Sequence, residues 1–335
     1  MAVAGVLVLA VLLLGLWAYS AESGASSMFG LFGLAFGFTL QRSRFCFASA
    51  FRDLWLMQDG RMMRAVVGGT MIATLGFTLI EYNLVPSLAT GQRPVGTALT
   101  FVGPHLLVGG LVFGVGMVIA GGCVSGNLYR IGEGYVASWV TILGMLVGIT
   151  GMLFTFNWWW EAVISRSPMI WLPEWFGWAG AVAVTLAALA AVYLLVLRVD
   201  ADAPHGMPRR AVEPEPGFRN ELNRMWKAVF QSGWSASHGA IALAVLNILF
   251  FLYQRPVGVT GELQRWATGF VTSAGFPPPP PPAEDLGACA VVVSTSFLAP
   301  TLFLTLCLVM GSFCAALISG EFKVRDRKST RLNSS

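Results

Sequence analysis

The chain has 335 residues, of which 56% are apolar and only 11% charged, with a net charge of +4. Soluble domains carry roughly 25% charged residues, so the composition excludes an ordinary water-soluble globule, and so small a positive balance gives no support to a nucleic-acid partner. Seven stretches (1–21, 65–80, 94–129, 135–160, 175–197, 228–254 and 286–320) contain no Asp, Glu, Lys or Arg. A helix crossing the hydrocarbon core needs about 20 apolar residues. The expected class is therefore all-α: a polytopic membrane protein of about eight segments, some of them re-entrant or broken, in a multi-pass arrangement.

In chain order, candidate segments fall near 2–19, 28–40, 64–80, 105–120, 136–156, 177–197, 237–253 and 288–319. No basic residue precedes Ser20, so the first segment reads as a retained span with its N-terminus outside rather than as a secretory signal. The 28–40 stretch is short for a span and runs into Gln41-Arg42-Ser43-Arg44, which reads as a re-entrant or broken segment. The 105–120 stretch ends at Gly121-Gly122-Cys123, a sequence that stops a helix. The final stretch is too long for one plain span, and Pro300 divides it.

Residues 1–197 form a first membrane half, and 198–236, with six basic and five acidic residues, a polar linker placed in the cytoplasm. Residues 237–325 form an incomplete second half interrupted by six consecutive prolines at 277–282, a stiff spacer. The segment 326–335 shows no pattern continuous with what precedes it and reads as a non-native tail.

An internal repeat organises the first half. Gly33-Leu-Ala-Phe-Gly37 matches Gly110-Leu-Val-Phe-Gly114, and a cysteine follows each string at the same distance, Cys46 and Cys123, at an offset of 77 residues. A weaker third copy aligns Tyr253-Gln254-Arg255 with Leu40-Gln41-Arg42, which puts Val259 at the cysteine position and Arg265 at that of Arg52. A fourth copy would begin where the chain stops.

Gly30, Gly33, Gly37, Gly110, Gly114 and Gly116 lie at spacings that let helices approach closely in lipid, and the packing reading is preferred for them. Gly121, Gly122 and Gly126 frame a cysteine instead. A broken helix at membrane depth is tolerated where it lines a cavity, and its freed N–H groups favour an anion. The thiol adds a polarizable sulfur and a weak donor. Cys46 and Cys123 with Gly121, Gly122 and Gly126 thus form the candidate binding site, suited to an anion that carries a soft sulfur of its own.

Arg44 and Arg130 would position that anion, although they, like Arg42 and Arg52, serve equally as topology signals. Glu133 is expected to pair with a nearby arginine. Cys289, Cys307 and Cys314 lack a glycine frame and read as packing residues. His105 and His238 have no ligand-spaced neighbours, so neither a metal nor another cofactor is expected. With no Walker loop, dinucleotide fingerprint or nucleophile elbow, an enzyme is not expected either.

Phe45-Cys46-Phe47-Ala48-Ser49-Ala50-Phe51-Arg52-Asp53 resembles the first cysteine motif of the YeeE/YedE family of sulfur-transport membrane proteins. Ala120-Gly121-Gly122-Cys123-Val124-Ser125-Gly126 followed by Arg130-Ile131-Gly132-Glu133-Gly134 resembles its second. Asn247 to Arg265 and Gly311 to Arg325 are also similar to family segments. The resemblance implies an hourglass-like helical permease of the cell (inner) membrane, for a sulfur oxyanion with thiosulfate the leading substrate. Cys46 and Cys123 would hand the anion along by thiol–sulfur hydrogen bonds. The family's third pathway cysteine lies in a motif with no counterpart before Arg325, which implies a C-terminally truncated chain. Two alternatives stay open: a membrane thiol-redox protein using the same two cysteines, or an accessory protein delivering sulfur or selenium to a cytoplasmic sulfur-carrier protein.

Overall fold

A charge-poor chain in lipid must satisfy every backbone group internally, which selects helices. In the computed structural model, residues 2–20, 23–84, 101–201, 226, 229–230, 232–254, 258–279 and 299–325 are described. They form α1 (Ala2–Ser20), α2 (Gly24–Ser43), α3 (Phe47–Met57), α4 (Arg61–Leu84), α5 (Pro104–Ala120), α6 (Val124–Glu133) and α7 (Val136–Trp159). After a π-turn (Trp160–Ile164) follow α8 (Leu172–Ala201), α9 (Ala236–Tyr253), α10 (Val259–Ser273) and α11 (Pro300–Ser319). No strand occurs among the described residues, only two isolated bridges, Phe101 with Met169 and Tyr135 with Arg325.

Seven of these helical stretches are long and apolar enough to cross a membrane: α1, α4, α5 continuing across its break into α6, α7, α8, α9 and α11. Their outer faces are covered in exposed large apolar side chains. Leu107 and Val118 of α5 are each 80% exposed, a surface that water does not tolerate and lipid does. The protein is an all-α, multi-pass membrane protein.

The centre is the crossing of α2 and α11. A Cβ placed on Gly33 would strike the carbonyl of Leu304, one on Gly37 the carbonyl of Leu308, and one on Gly311 the carbonyl of Leu34. Absent side chains let the two backbones touch where lipid supplies no hydrophobic drive. Around the crossing, Phe29 and Phe32 each meet Phe250 of α9 edge-on at 5.0 Å, and Leu128, Tyr129 and Leu263 complete the core. A second glycine contact joins α4 to α9, where a Cβ on Gly69 would lie 3.1 Å from that of Ala240. On α3, Ala50 is fully buried with Met63 and Val67 of α4 and Val196 of α8.

Several sequence expectations change here. The 28–40 segment is not short: α2 runs 20 residues without a break, about 30 Å at 1.5 Å per residue. Apolar-run counting cut it because Ser26, Ser27, Gln41, Arg42 and Ser43 are polar, yet all five are buried inside the protein. The break falls after it, at Arg44. Packing through Gly110, Gly114 and Gly116 is also corrected, since among the described residues none has a neighbour within 4 Å of its would-be side chain. Pro300 does begin α11, at its first turn, as its missing N–H predicts. The 136–156 segment extends to Trp159, and the 177–197 segment to Leu172–Ala201 with a bend at Gly177 (φ 67°). Cys289, most of the 198–236 linker, Pro280 to Pro282 and the 326–335 tail lie outside the described residues.

The α2–α11 contact is testable. Gly37→Val drives a methyl into a backbone carbonyl and should cost at least about 3 kcal/mol, read as a lowered melting midpoint of the purified protein. Gly114→Val, where no described residue lies opposite, should leave the midpoint unchanged.

Candidate functional site

The repeated motif folds as the same device twice. The first helix of each copy ends in a left-handed residue, Arg44 (φ 49°) after α2 and Gly121 (φ 70°) after α5. Two residues on, the cysteine adopts extended geometry and becomes the N-cap of the next helix: Cys46 for α3, Cys123 for α6. Cys123 caps with its sulfur, which accepts the Gly126 N–H at 3.4 Å. The N–H groups of Val124 and Ser125 in that first turn have no intrahelical acceptor.

The two breaks face each other. Sγ of Cys46 lies 3.9 Å from Sγ of Cys123, and Cys123 Sγ lies 3.4 Å from Ser125 Oγ. Both thiols are free, Cys46 buried and Cys123 partly accessible. Gly126 makes the meeting possible: a Cβ there would lie 2.8 Å from Cys46 Sγ and 3.2 Å from Cys123 Sγ. Two thiols and the N-termini of two short helices therefore converge at one point, a soft, weakly donating lining with a positive electrostatic bias.

The remaining predicted residues take supporting positions. Arg130 Nη1 donates to the Gly121 carbonyl at 2.5 Å, and Asn127 Nδ2 donates to the carbonyls of Gly122 and Cys123, both at 3.1 Å. These bonds tie the α5–α6 loop down and satisfy its carbonyls. Gly122 leaves room for this, since a Cβ there would sit 3.1 Å from Arg130 Nη1. Arg44 points elsewhere: its Nη2 pairs with Glu321 at 3.1 Å, and its side chain is 65% exposed.

Sequence reasoning missed the polar cluster below the thiols. Gln41, 1% exposed, donates from Nε2 to Glu133 Oε1 at 3.2 Å and to Glu321 Oε2 at 2.8 Å. Arg42, equally buried, reaches Glu321 at 3.7 Å and donates to Gln41 Oε1 at 3.4 Å, while its Nε and Nη2 have no hydrogen-bond partner among the described residues. Glu133 thus takes its hydrogen bond from a glutamine rather than from the arginine expected for it. The cluster joins the ends of α2, α6 and α11. Its one sequence signal was an uninterrupted run of polar residues, Gln41 to Arg44, at the end of an apolar helix.

α9 ends at Tyr253 and α10 begins at Val259. Gly258 caps α10 and Val259 opens it, packed on the same core cluster as Phe45 and Val124 beside the two cysteines. α11 also ends in a left-handed residue, Gly320 (φ 73°), which repeats the helix end seen at Arg44 and Gly121. Cys307 and Cys314 are buried in α11, as packing residues should be. No group of three His, Cys, Asp or Glu able to hold a metal occurs among the described residues, and His238 instead caps with Ser235 (Nδ1 to Oγ 2.6 Å).

The two helix breaks that bring the thiols together thus lie inside a polytopic helical membrane protein. Residues 42–334 match the family described as sulphur transport, and the chain belongs to that family. It is 32% identical over 168 residues to a probable transporter, YedE, of Salmonella typhimurium, covering 50% of this chain and 39% of that protein. It is 35% identical over 116 residues to the thiosulfate transporter TsuA of Escherichia coli (34% and 30%). To TsuA of Spirochaeta thermophila it is 38% identical over 130 residues (38% and 37%). The matched region thus spans well under half the length of these relatives. The family is one of transporters, not enzymes.

The buried Arg42 makes Glu321 a structural counter-charge. Glu321→Ala should destabilise the protein by on the order of 3 kcal/mol by stranding a buried charge, measured by thermal melting. Glu321→Gln, which can still accept from Gln41 and Arg42, should lose less.

Proposed function

We propose that the chain carries part of the pathway of a permease for a sulfur-containing anion, with thiosulfate the leading substrate. The observation that carries this reading is the 3.9 Å approach of the Cys46 and Cys123 sulfurs at two facing helix N-termini. Thiosulfate has a terminal sulfur able to accept from a thiol and oxygens able to accept from N–H groups. The Val124 and Ser125 N–H groups supply the second kind of donor. Sulfate has no soft sulfur and would gain from only half of the site. Two relatives bear the name thiosulfate transporter, which points to the same solute. Arg130 acts here as a positioning residue that holds the Gly121 carbonyl. A cytoplasmic sulfur-carrier protein is the partner such a pathway would supply.

A second reading rests on the same distance: two free thiols this close could form a reversible disulfide, with an external two-electron oxidant taking the electrons and two protons released. Alkylation separates the readings, because a transport pathway leaves both thiols labelled in oxidised and reduced membranes alike.

Uptake of labelled thiosulfate in cells without another route for it tests the proposal. Cys123→Ala and Cys46→Ala should each lower uptake by about ten-fold or more, the loss of one hydrogen bond to a charged solute, at unchanged protein level. Gly126→Ala, which presses a methyl onto both sulfurs, should lower it as well. Undiminished uptake in both cysteine variants would sink the proposal.

A further inference from the structure

Away from the thiols, a cavity of about 240 Å³ opens between α4 and α8, against about 30 Å³ for one water. Glu81, Thr74 and Thr78 line it from α4, and Thr185, Trp171 and Trp178 from α8 and the turn before it. Glu81 sits half-buried near the end of a membrane-spanning helix with no hydrogen bond or ion pair to any described residue. A carboxylate in that position is costly unless something pairs with it.

The three hydroxyls are already committed as donors. Thr74 and Thr78 donate to the carbonyls of Thr70 and Thr74, and Thr185 to that of Ala181, each at 2.8 Å. Their oxygens remain as acceptors facing the cavity with the carboxylate. The complementary feature is a single donor: Trp178 Nε1 is buried, with no hydrogen-bond partner among the described residues. Trp171 and Trp178 meet edge-on at 5.8 Å, and Tyr82 packs on Trp178 at 6.2 Å, so aromatic rings wall one side. Indole faces attract cations.

The depth is set by tryptophan. Six of the 12 tryptophans fall within residues 158–178, the signature of the membrane–water interface. Ile170 and Leu172, at the rim, are 47% and 37% exposed, which turns the mouth towards lipid.

We propose that this cavity binds the headgroup of a primary-ammonium phospholipid. The ammonium sits against Glu81 and donates its N–H bonds to the threonine oxygens, and a phosphate oxygen accepts from Trp178 Nε1. A quaternary ammonium has no N–H to donate, and a glycerol headgroup has no positive charge, so neither uses the site fully. The inference is independent of the solute that passes the thiols.

Native mass spectrometry of the purified full chain with equal amounts of phosphatidylethanolamine, phosphatidylcholine and phosphatidylglycerol tests it. Phosphatidylethanolamine should be retained about ten-fold over the other two, the worth of a hydrogen bond to a charged group. Glu81→Gln should bring the three to parity, and Trp178→Phe should weaken retention. Thr78→Val, which keeps the side-chain shape, provides a second variant should Glu81→Gln melt early, and it should lower the preference. Equal retention of the three lipids by the unmodified protein, or a preference unchanged in both Glu81→Gln and Thr78→Val, overturns the proposal. Displacement of the lipid by sodium at physiological concentration does the same, since it would make the cavity a cation site.

Discussion

Where α2 crosses α11, two helix backbones touch with no side chains between them. Gly33 and Gly37 lie on the carbonyls of Leu304 and Leu308, and Gly311 lies on that of Leu34. In lipid, apolar side chains gain nothing by leaving their surroundings, so close van der Waals approach has to hold such a pair. The rest of the site follows from this contact. It brings the end of α2 beside the end of α11, so that Gln41, Arg42 and Arg44 can share Glu321. It also holds the α2–α3 break, and with it Cys46, against the break between α5 and α6.

The site itself uses the ordinary rules for helix ends in an unusual setting. A left-handed residue ends each incoming helix, and an N-cap two residues later starts the outgoing one. In water such a break would be unremarkable, because solvent satisfies the freed groups. Inside a membrane they need partners. Arg130 and Asn127 take the carbonyls of the second break, and the sulfur of Cys123 takes one N–H. The thiol therefore does two jobs, capping a helix and presenting a polarizable surface.

The polar cluster beneath the thiols carries the electrostatic cost of this arrangement. A buried arginine beside a buried glutamine is stable only while the carboxylates of Glu321 and Glu133 stay close. That requirement couples the ends of three helices, since Glu133 closes α6, Glu321 follows α11, and Gln41 and Arg42 end α2.

The sequence by itself determined what depends on each residue's own chemistry. Charge-free runs marked the membrane, Gly121 marked the break after α5, the 77-residue offset paired Cys123 with Cys46, and Pro300 marked the start of α11. A proline removes its N–H and a left-handed cap favours glycine whatever surrounds them, so those features can be read locally. Family membership was legible for the same reason, from Cys46, Cys123 and the glycines around the second. Only the tertiary structure decided which partner each feature meets. The strings at Gly33–Gly37 and Gly110–Gly114 are nearly identical, yet the first lies against α11 and the glycines of the second have no described residue within 4 Å of a would-be side chain. Gln41 and Arg42 follow a stretch that reads as short or broken, with Arg42 equally an anion-positioning residue or a topology signal, yet both are 1% exposed. Partner choice and burial belong to the packed assembly: a side chain's energy there depends on the groups that the rest of the chain brings to it, and spacing along one segment carries no record of them.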